Sequence, residues 1–309
     1  YARNGGPTGQ EFARNQRFKL YRNGRFFDIG ADRREKNDLA VTKLSEDASQ
    51  ARAELQKTLE KFTGTRKIYP KKNRKNKKKV SAVERVEKAS AALREKGARI
   101  FLRDGRTVEV NLDRSKADDD AMRLLAALPD LTDLSLEETS VGDAGMAHLT
   151  QLSRLEWLNL YRTRVGDAGL RHLSSMKSLK LLPIGSTKIT DTGMEHIASM
   201  TQLVYVGLRG NRITDEGAKH LAGLVELKGL HIGETDVTDA SIVHLEKLSR
   251  LEKLWLDDTK VSDAAVARLS KLGSLRELHV RRTRMTKAGV EKIREALPSC
   301  RVFYESNEG

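Results

Sequence analysis

Five of the seven histidines, His148, His172, His196, His220 and His244, recur at a fixed interval of 24 residues. A column of imidazoles is the donor set from which a ladder of zinc sites would be built. Each of the five precedes an inward aliphatic residue at helical spacing, and helices packed side by side lie about 8 to 10 Å apart. Zinc–nitrogen bonds of roughly 2.0 to 2.1 Å cannot be shared across that gap. The column is therefore read as surface or partly buried repeat residues, and no metal site is expected. Cys300 is the only cysteine, which excludes an internal disulfide framework and a cysteine-built cluster and leaves the redox compartment open. No glycine-rich phosphate loop, Ser/His/Asp set or paired-carboxylate motif stands out. No catalytic residue and no cofactor is expected in this chain.

What remains are groups that bind. Residues 66–79 carry nine basic side chains and no acidic one. Within them Lys71, Lys72, Arg74, Lys75, Lys77, Lys78 and Lys79 form a run with nothing apolar to pack, which predicts a solvated tether. Without interleaved aromatics the run offers weak, salt-sensitive, sequence-blind contact to a polyanion: nucleic acid, lipid head groups or sulfated polysaccharide. The net charge of +14 belongs to this end of the chain. Residues 1–100 hold 27 Lys and Arg against 12 Asp and Glu, and the remainder 30 against 31.

At 309 residues, 38% of them hydrophobic, the chain can hold two packed domains. No apolar run approaches the roughly 18 residues of a membrane span. It begins at Tyr1 without methionine or signal peptide and is read as a fragment.

The elements that must position these groups follow from one period. Leu131, Leu155, Leu179, Leu203, Leu227, Leu251 and Leu275 are 24 residues apart. Aliphatic residues three and five positions further on, such as Leu158 and Leu160, give strand alternation. Leu173 and Met176 then give helical spacing. Between them a turn repeats Asp143, Asp167, Asp191, Asp215, Asp239 and Asp263, each expected to cap its own helix. The column Thr139, Thr163, Thr187, Thr235, Thr259 and Thr283, broken by Asn211, is expected to link turn backbone from unit to unit.

These stretches, among them Leu-Thr-Asp-Leu-Ser-Leu at 131–136 and Thr-Asp-Glu-Gly-Ala-Lys-His-Leu at 214–221, resemble the leucine-rich repeats of planctomycete-type bacterial proteins over about two-thirds of the chain. The resemblance implies an α/β solenoid of strand-turn-helix units with a parallel sheet on its concave face. No unit can bury its stripe alone, so stacking is obligatory. Val83, Val86 and Leu93 predict an amphipathic capping helix ended by Gly97, then a hairpin at Asp104-Gly105 leading to Val110 and Leu112. Val302 and Tyr304 fall on the strand columns of an eighth unit.

Ahead of the repeats, Asn23-Gly24 predicts a two-residue hairpin. That register pairs Leu20 with Phe27, Phe18 with Ile29 and Lys19 with Asp28. Ser45 then caps a helix with Ala48, Ala51, Leu55, Leu59 and Phe62 on one face, ended by Gly64. The segments Phe12-Ala13-Arg14-Asn15-Gln16-Arg17-Phe18-Lys19-Leu20-Tyr21, Gly24-Arg25-Phe26-Phe27-Asp28-Ile29 and Ala31-Asp32-Arg33-Arg34-Glu35-Lys36-Asn37-Asp38-Leu39 resemble the C-terminal tail of arylsulfatase-type bacterial sulfatases. That resemblance implies a sulfate-ester hydrolase whose calcium and formylglycine, made in a Cys/Ser-x-Pro-x-Arg motif, belong upstream. Cys300, followed by Arg301 and Val302, does not fit that motif. A periplasmic or extracellular location follows only where this resemblance holds.

The expected organisation is a small α+β remnant (1–63), a basic linker (64–80), a helix-hairpin cap (81–112) and the repeat domain (113–309). In each repeat the residues alternating with the inward leucines face out on the concave sheet. There Trp157, Tyr161 and Tyr205 are expected to share a ligand, with Trp255 and His231 as a neighbouring cluster, joined by Arg209, His279 and Arg281. Trp, Tyr and Arg most often dominate binding energy. Glu137 and Glu138 at one end, against Arg281 and Arg282 at the other, add an expected charge gradient. The expected function is non-catalytic recognition by a monomer, with a protein or polysaccharide ligand.

Overall fold

A computed structural model describes residues 2–3, 11–21, 25–32, 36–39, 43–61 and 81–305. The chain divides into two units, Tyr1–Lys78 and Lys79–Gly309. Among the described residues no helix is long and apolar enough to cross a membrane.

In the first unit β1 (Ala2–Arg3), β2 (Glu11–Arg14), β3 (Phe18–Tyr21) and β4 (Phe26–Asp28) form an antiparallel sheet in chain order. Helix α1 (Glu46–Lys61) opens at Ser45, whose hydroxyl accepts the Ala48 N–H at 3.3 Å. Ala48, Ala51, Leu55 and Leu59 are buried as expected, against Ala13, Phe18, Leu20 and Phe26. Phe62 and Gly64 lie outside the described residues.

The hairpin forms one register away from the expected one. Phe18 faces Asp28, Lys19 faces Phe27 and Leu20 faces Phe26. The Tyr21 N–H donates to the Arg25 carbonyl at 2.8 Å. Residues 22–24, Asn23-Gly24 among them, lie outside the described residues. The reason is that both faces are aromatic. Phe18 and Phe26 go to α1, while Phe12, Tyr21 and Phe27 form a second cluster behind them. The Lys19 ammonium stands 4.2 Å from the Phe12 ring centre. Asp28 takes the Arg17 guanidinium at 2.9 Å in place of Lys19.

The second unit opens with α2 (Ala82–Glu95), held by a reciprocal capping box between Ser81 and Glu84. Leu93 is fully buried and Val86 partly, but Val83 is 66% exposed and does not belong to the packed stripe. Strands β5 (Arg99–Arg103) and β6 (Arg106–Asn111) form the expected hairpin, with Asp104 and Gly105 at φ 51° and 74°. Eight parallel strands follow: β7 (Asp133–Ser135), β8 (Trp157–Asn159), β9 (Leu181–Pro183), β10 (Tyr205–Gly207), β11 (Gly229–His231), β12 (Lys253–Trp255), β13 (Glu277–His279) and β14 (Arg301–Phe303). All ten make one sheet in chain order. Parallel neighbours pair residue i with i+24, as in Val206 with Leu230 and Leu230 with Leu254.

Between strands run α3 (Asp119–Leu125), α4 (Asp143–Leu149), α5 (Asp167–Leu173), α6 (Asp191–Ile197), α7 (Asp215–Ala218), α8 (Asp239–Leu245), α9 (Val266–Leu269) and α10 (Lys287–Ala296). The leucine columns fill the space between sheet and helices and are closed to solvent. Each such side chain contributes about 1.5 to 3 kcal/mol only because its neighbours cover it.

Two columns bond differently from expectation. The aspartates do not cap their own helices, where the preceding residue holds the cap position. They reach the next unit: Asp167 accepts the Thr190 N–H at 2.9 Å and its hydroxyl at 2.7 Å, and Asp191 does the same for Thr214. Apart from Thr187, whose hydroxyl also donates to Asn211 Oδ1 at 3.0 Å, the threonines stay at home. Their hydroxyls donate to the carbonyl three residues back, as from Thr163 to Leu160 at 2.8 Å and Thr259 to Leu256 at 2.7 Å. It is Asn211, the exception in that column, that crosses units, donating to the Ile184 carbonyl and accepting the Thr187 N–H, both at 2.8 Å.

Candidate ligand-binding face

On the sheet face away from the helices, the central residue of each three-residue strand points inward and its two flanking residues outward. Strand register then sets Gly207, His231, Trp255, His279 and Phe303 in one row across β10 to β14. Strands about 4.8 Å apart bring planar side chains in such a row into contact. His231 stacks on Trp255 with ring centres 5.6 Å apart, and Trp255 on His279 at 5.6 Å. His279 stacks on Phe303 at 4.2 Å. Tyr205, from the adjacent row, meets Trp255 edge-on at 6.3 Å.

Glycines let Tyr205 lie along the sheet. A Cβ on Gly229 would stand 2.8 Å from Tyr205 Cδ2, and one on Gly207 2.9 Å from its hydroxyl. Burial pulls His231 down to about 4, with Arg209 adding to the effect. Its Nδ1 accepts the Gly233 N–H at 3.4 Å, which assigns the proton of the neutral ring to Nε2. Burial also lowers His279, although Asp257 stands 3.9 Å away. Arg209 pairs with Glu234. The Arg281 guanidinium lies 5.5 Å from the Phe303 ring centre, and its backbone N–H donates to Asp257 at 2.8 Å.

The expected residues are all on this face, but they group differently. Tyr205 joins Trp255, whereas Trp157 stands two strands away with Leu181 between them. Tyr161 lies beside the Arg162 guanidinium at 5.3 Å. Phe303 closes the row and was missing from the expected set, although it is 24 residues beyond His279. The expected charge gradient dissolves into local pairs. Arg114 and Arg162 hold Glu138 at 3.1 and 2.9 Å, and Asp258 and Glu305 hold Arg282 at 2.6 and 3.2 Å.

His148, His172, His196, His220 and His244 are half-buried along the helices. Among the described residues no group of three or more His, Cys, Asp or Glu could hold a metal ion. Cys300 is buried, and burial pushes its thiol up, away from reactivity. The basic run with Lys71, Lys72, Arg74, Lys75, Lys77, Lys78 and Lys79 lies outside the described residues.

Residues 200–222 match the family described as Leucine Rich repeat. No curated protein matches the chain. Among solved structures it is similar to internalin C2 from Listeria monocytogenes, at 24% identity and TM-score 0.54, over 70% of this chain and 92% of that one. It is also similar to the ectodomain of the Arabidopsis receptor kinase HAESA, at 19% identity and TM-score 0.54, over 67% of this chain and 36% of that one. The chain thus spans about a third of that ectodomain. With parallel strands, helices and buried leucines all repeating every 24 residues, the second unit is a leucine-rich-repeat solenoid, its sheet on the concave side.

Proposed function

We propose that the solenoid is a non-catalytic recognition module that binds a protein ligand on its concave sheet, over Tyr205, His231, Trp255, His279 and Phe303. The observation that carries this reading is the unbroken contact of five rings on a face where core packing does not require them. Stacked rings spend their faces on one another and offer edges, the electropositive rim of the ring together with N–H donors. Edges of that kind suit peptide carbonyls better than sugar rings, which need an open aromatic face. The HAESA ectodomain was solved with a peptide hormone ligand, and the same use of the fold is proposed here. Peptides selected from a random display library on the full chain provide the test. Trp255→Ala is expected to weaken them roughly thirtyfold, about 2 kcal/mol. If folded Trp157→Ala, Tyr205→Ala and Trp255→Ala variants all bind like the parent, the concave assignment is wrong.

A second reading makes the first unit the C-terminal part of a sulfate-ester hydrolase, favoured by its hairpin followed by α1. A Cys/Ser-x-Pro-x-Arg motif in the coding sequence upstream of Tyr1 would support it, and an upstream sequence without one would remove it.

A further inference from the structure

A different surface lies at the N-terminal edge of the ten-stranded sheet. Among the described residues no strand lies beyond β5, so its outer backbone groups form an open edge of the kind that proteins normally cover or blunt. Phe101 and Leu102 on this strand are 48% and 59% exposed. Between α2 and the β5–β6 hairpin runs a cleft of about 480 Å³, walled by Val83, Val86, Leu102 and Leu128.

Thr107 also lines this cleft and is 4% exposed. Its hydroxyl is the one buried side-chain polar atom among the described residues that has no hydrogen-bond partner. A buried hydroxyl in that condition destabilises the fold unless something else supplies the bond. Arg94 and Arg106 stand on the cleft wall, with Glu87 and Asp130 as opposing charges. Asp130 is held by Arg154 at 2.6 Å, closer than the 3.9 Å to Arg106, so the cleft keeps one guanidinium in excess. β5 itself begins and ends with arginine, Arg99 and Arg103. An antiparallel second copy of the strand would oppose these two, which disfavours self-pairing and favours a strand that carries carboxylates.

We propose that this edge docks an extended segment of a partner protein, which adds to β5 as a further strand and places a glutamate side chain in the cleft. Its methylenes cover Val86 and Leu102, and its carboxylate accepts the Thr107 hydroxyl with Arg94 and Arg106 nearby. The site is independent of the concave rings.

The test titrates the full chain with a capped seven-residue peptide of alternating valine and glutamate, with glutamine and lysine versions as controls, followed by methyl and amide NMR. The glutamate peptide is expected to shift Val86, Leu102 and Thr107 and to bind about tenfold more tightly than either control. Thr107→Val is expected to weaken it about tenfold while raising the melting temperature of the free chain, because an unpartnered hydroxyl has been removed. Thr107→Ser restores binding. Failure of the glutamate peptide to bind, equal binding of the lysine version, or binding indifferent to Thr107→Val each overturns the proposal. So does a lowered melting temperature for Thr107→Val, since the hydroxyl would then already be satisfied.

Discussion

Gly193 packs so closely on Asp167 that a Cβ at Gly193 would stand 2.3 Å from Asp167 Oδ1. The glycine is what allows the carboxylate of one unit to reach the start of the next helix. Gly193→Ala is therefore expected to cost about 1 to 3 kcal/mol, as overpacking does. Gly273, with nothing within 4 Å of its Cβ position, serves as the control. Gly273→Ala should be neutral or stabilising by about 0.4 to 1 kcal/mol. Urea unfolding of both variants measures the contrast, and equal effects would remove the packing argument.

Asp167→Ala leaves the Thr190 N–H and hydroxyl without the acceptor they share. A loss of about 1 to 3 kcal/mol is expected. Stability in a solenoid is a sum over neighbouring units, so the damage should be local. Hydrogen exchange is expected to accelerate first at the α5–α6 junction, and uniform acceleration along the chain would contradict this.

The His231 imidazole, held near 4 by burial, stays neutral where the same group in the unfolded chain, near 6.5, already carries a proton. Between those values the unfolded state binds more protons, so stability falls as pH falls from 6.5 toward 4, and the loss is complete below that. His279 is displaced in the same direction. His231→Phe should make the decline across this window shallower in denaturation midpoints taken at several pH values. An unchanged slope would mean that His231 titrates normally.

Removing residues 71–79 is expected to shorten heparin retention and to leave the thermal unfolding of the solenoid unaltered. A clear fall in the melting temperature would instead make this stretch part of a folded element.

Much of the fold was legible because Leu131 to Leu275 keep one spacing without a slip, and a strand-helix alternation follows from that spacing alone. The same regularity hid the bonding. In a perfect repeat, Asp167 bonding within its own helix and Asp167 bonding to Thr190 leave identical sequence patterns, since every partner recurs 24 residues later. Only the folded arrangement separates them. The β3–β4 register was hidden for another reason: Phe26 and Phe27 are adjacent and both fully buried, so alternation could not say which one faced α1. Phe303 was legible by its spacing from His279, between Val302 and Tyr304. The contact of Tyr205 with Trp255 was not, because it depends on a ring lying across Gly207 and Gly229.

The constant offset between neighbouring strands also makes the solenoid a ruler that can be cut. Removing 24 consecutive residues inside the regular stretch would return each strand residue and each aspartate to a partner of the same kind. The length of the concave groove, and the number of rings along it, can therefore change by whole-unit recombination without a new core having to evolve. A chain that gains or loses a unit meets the same packing at the new junction, so its length can change while its core chemistry does not.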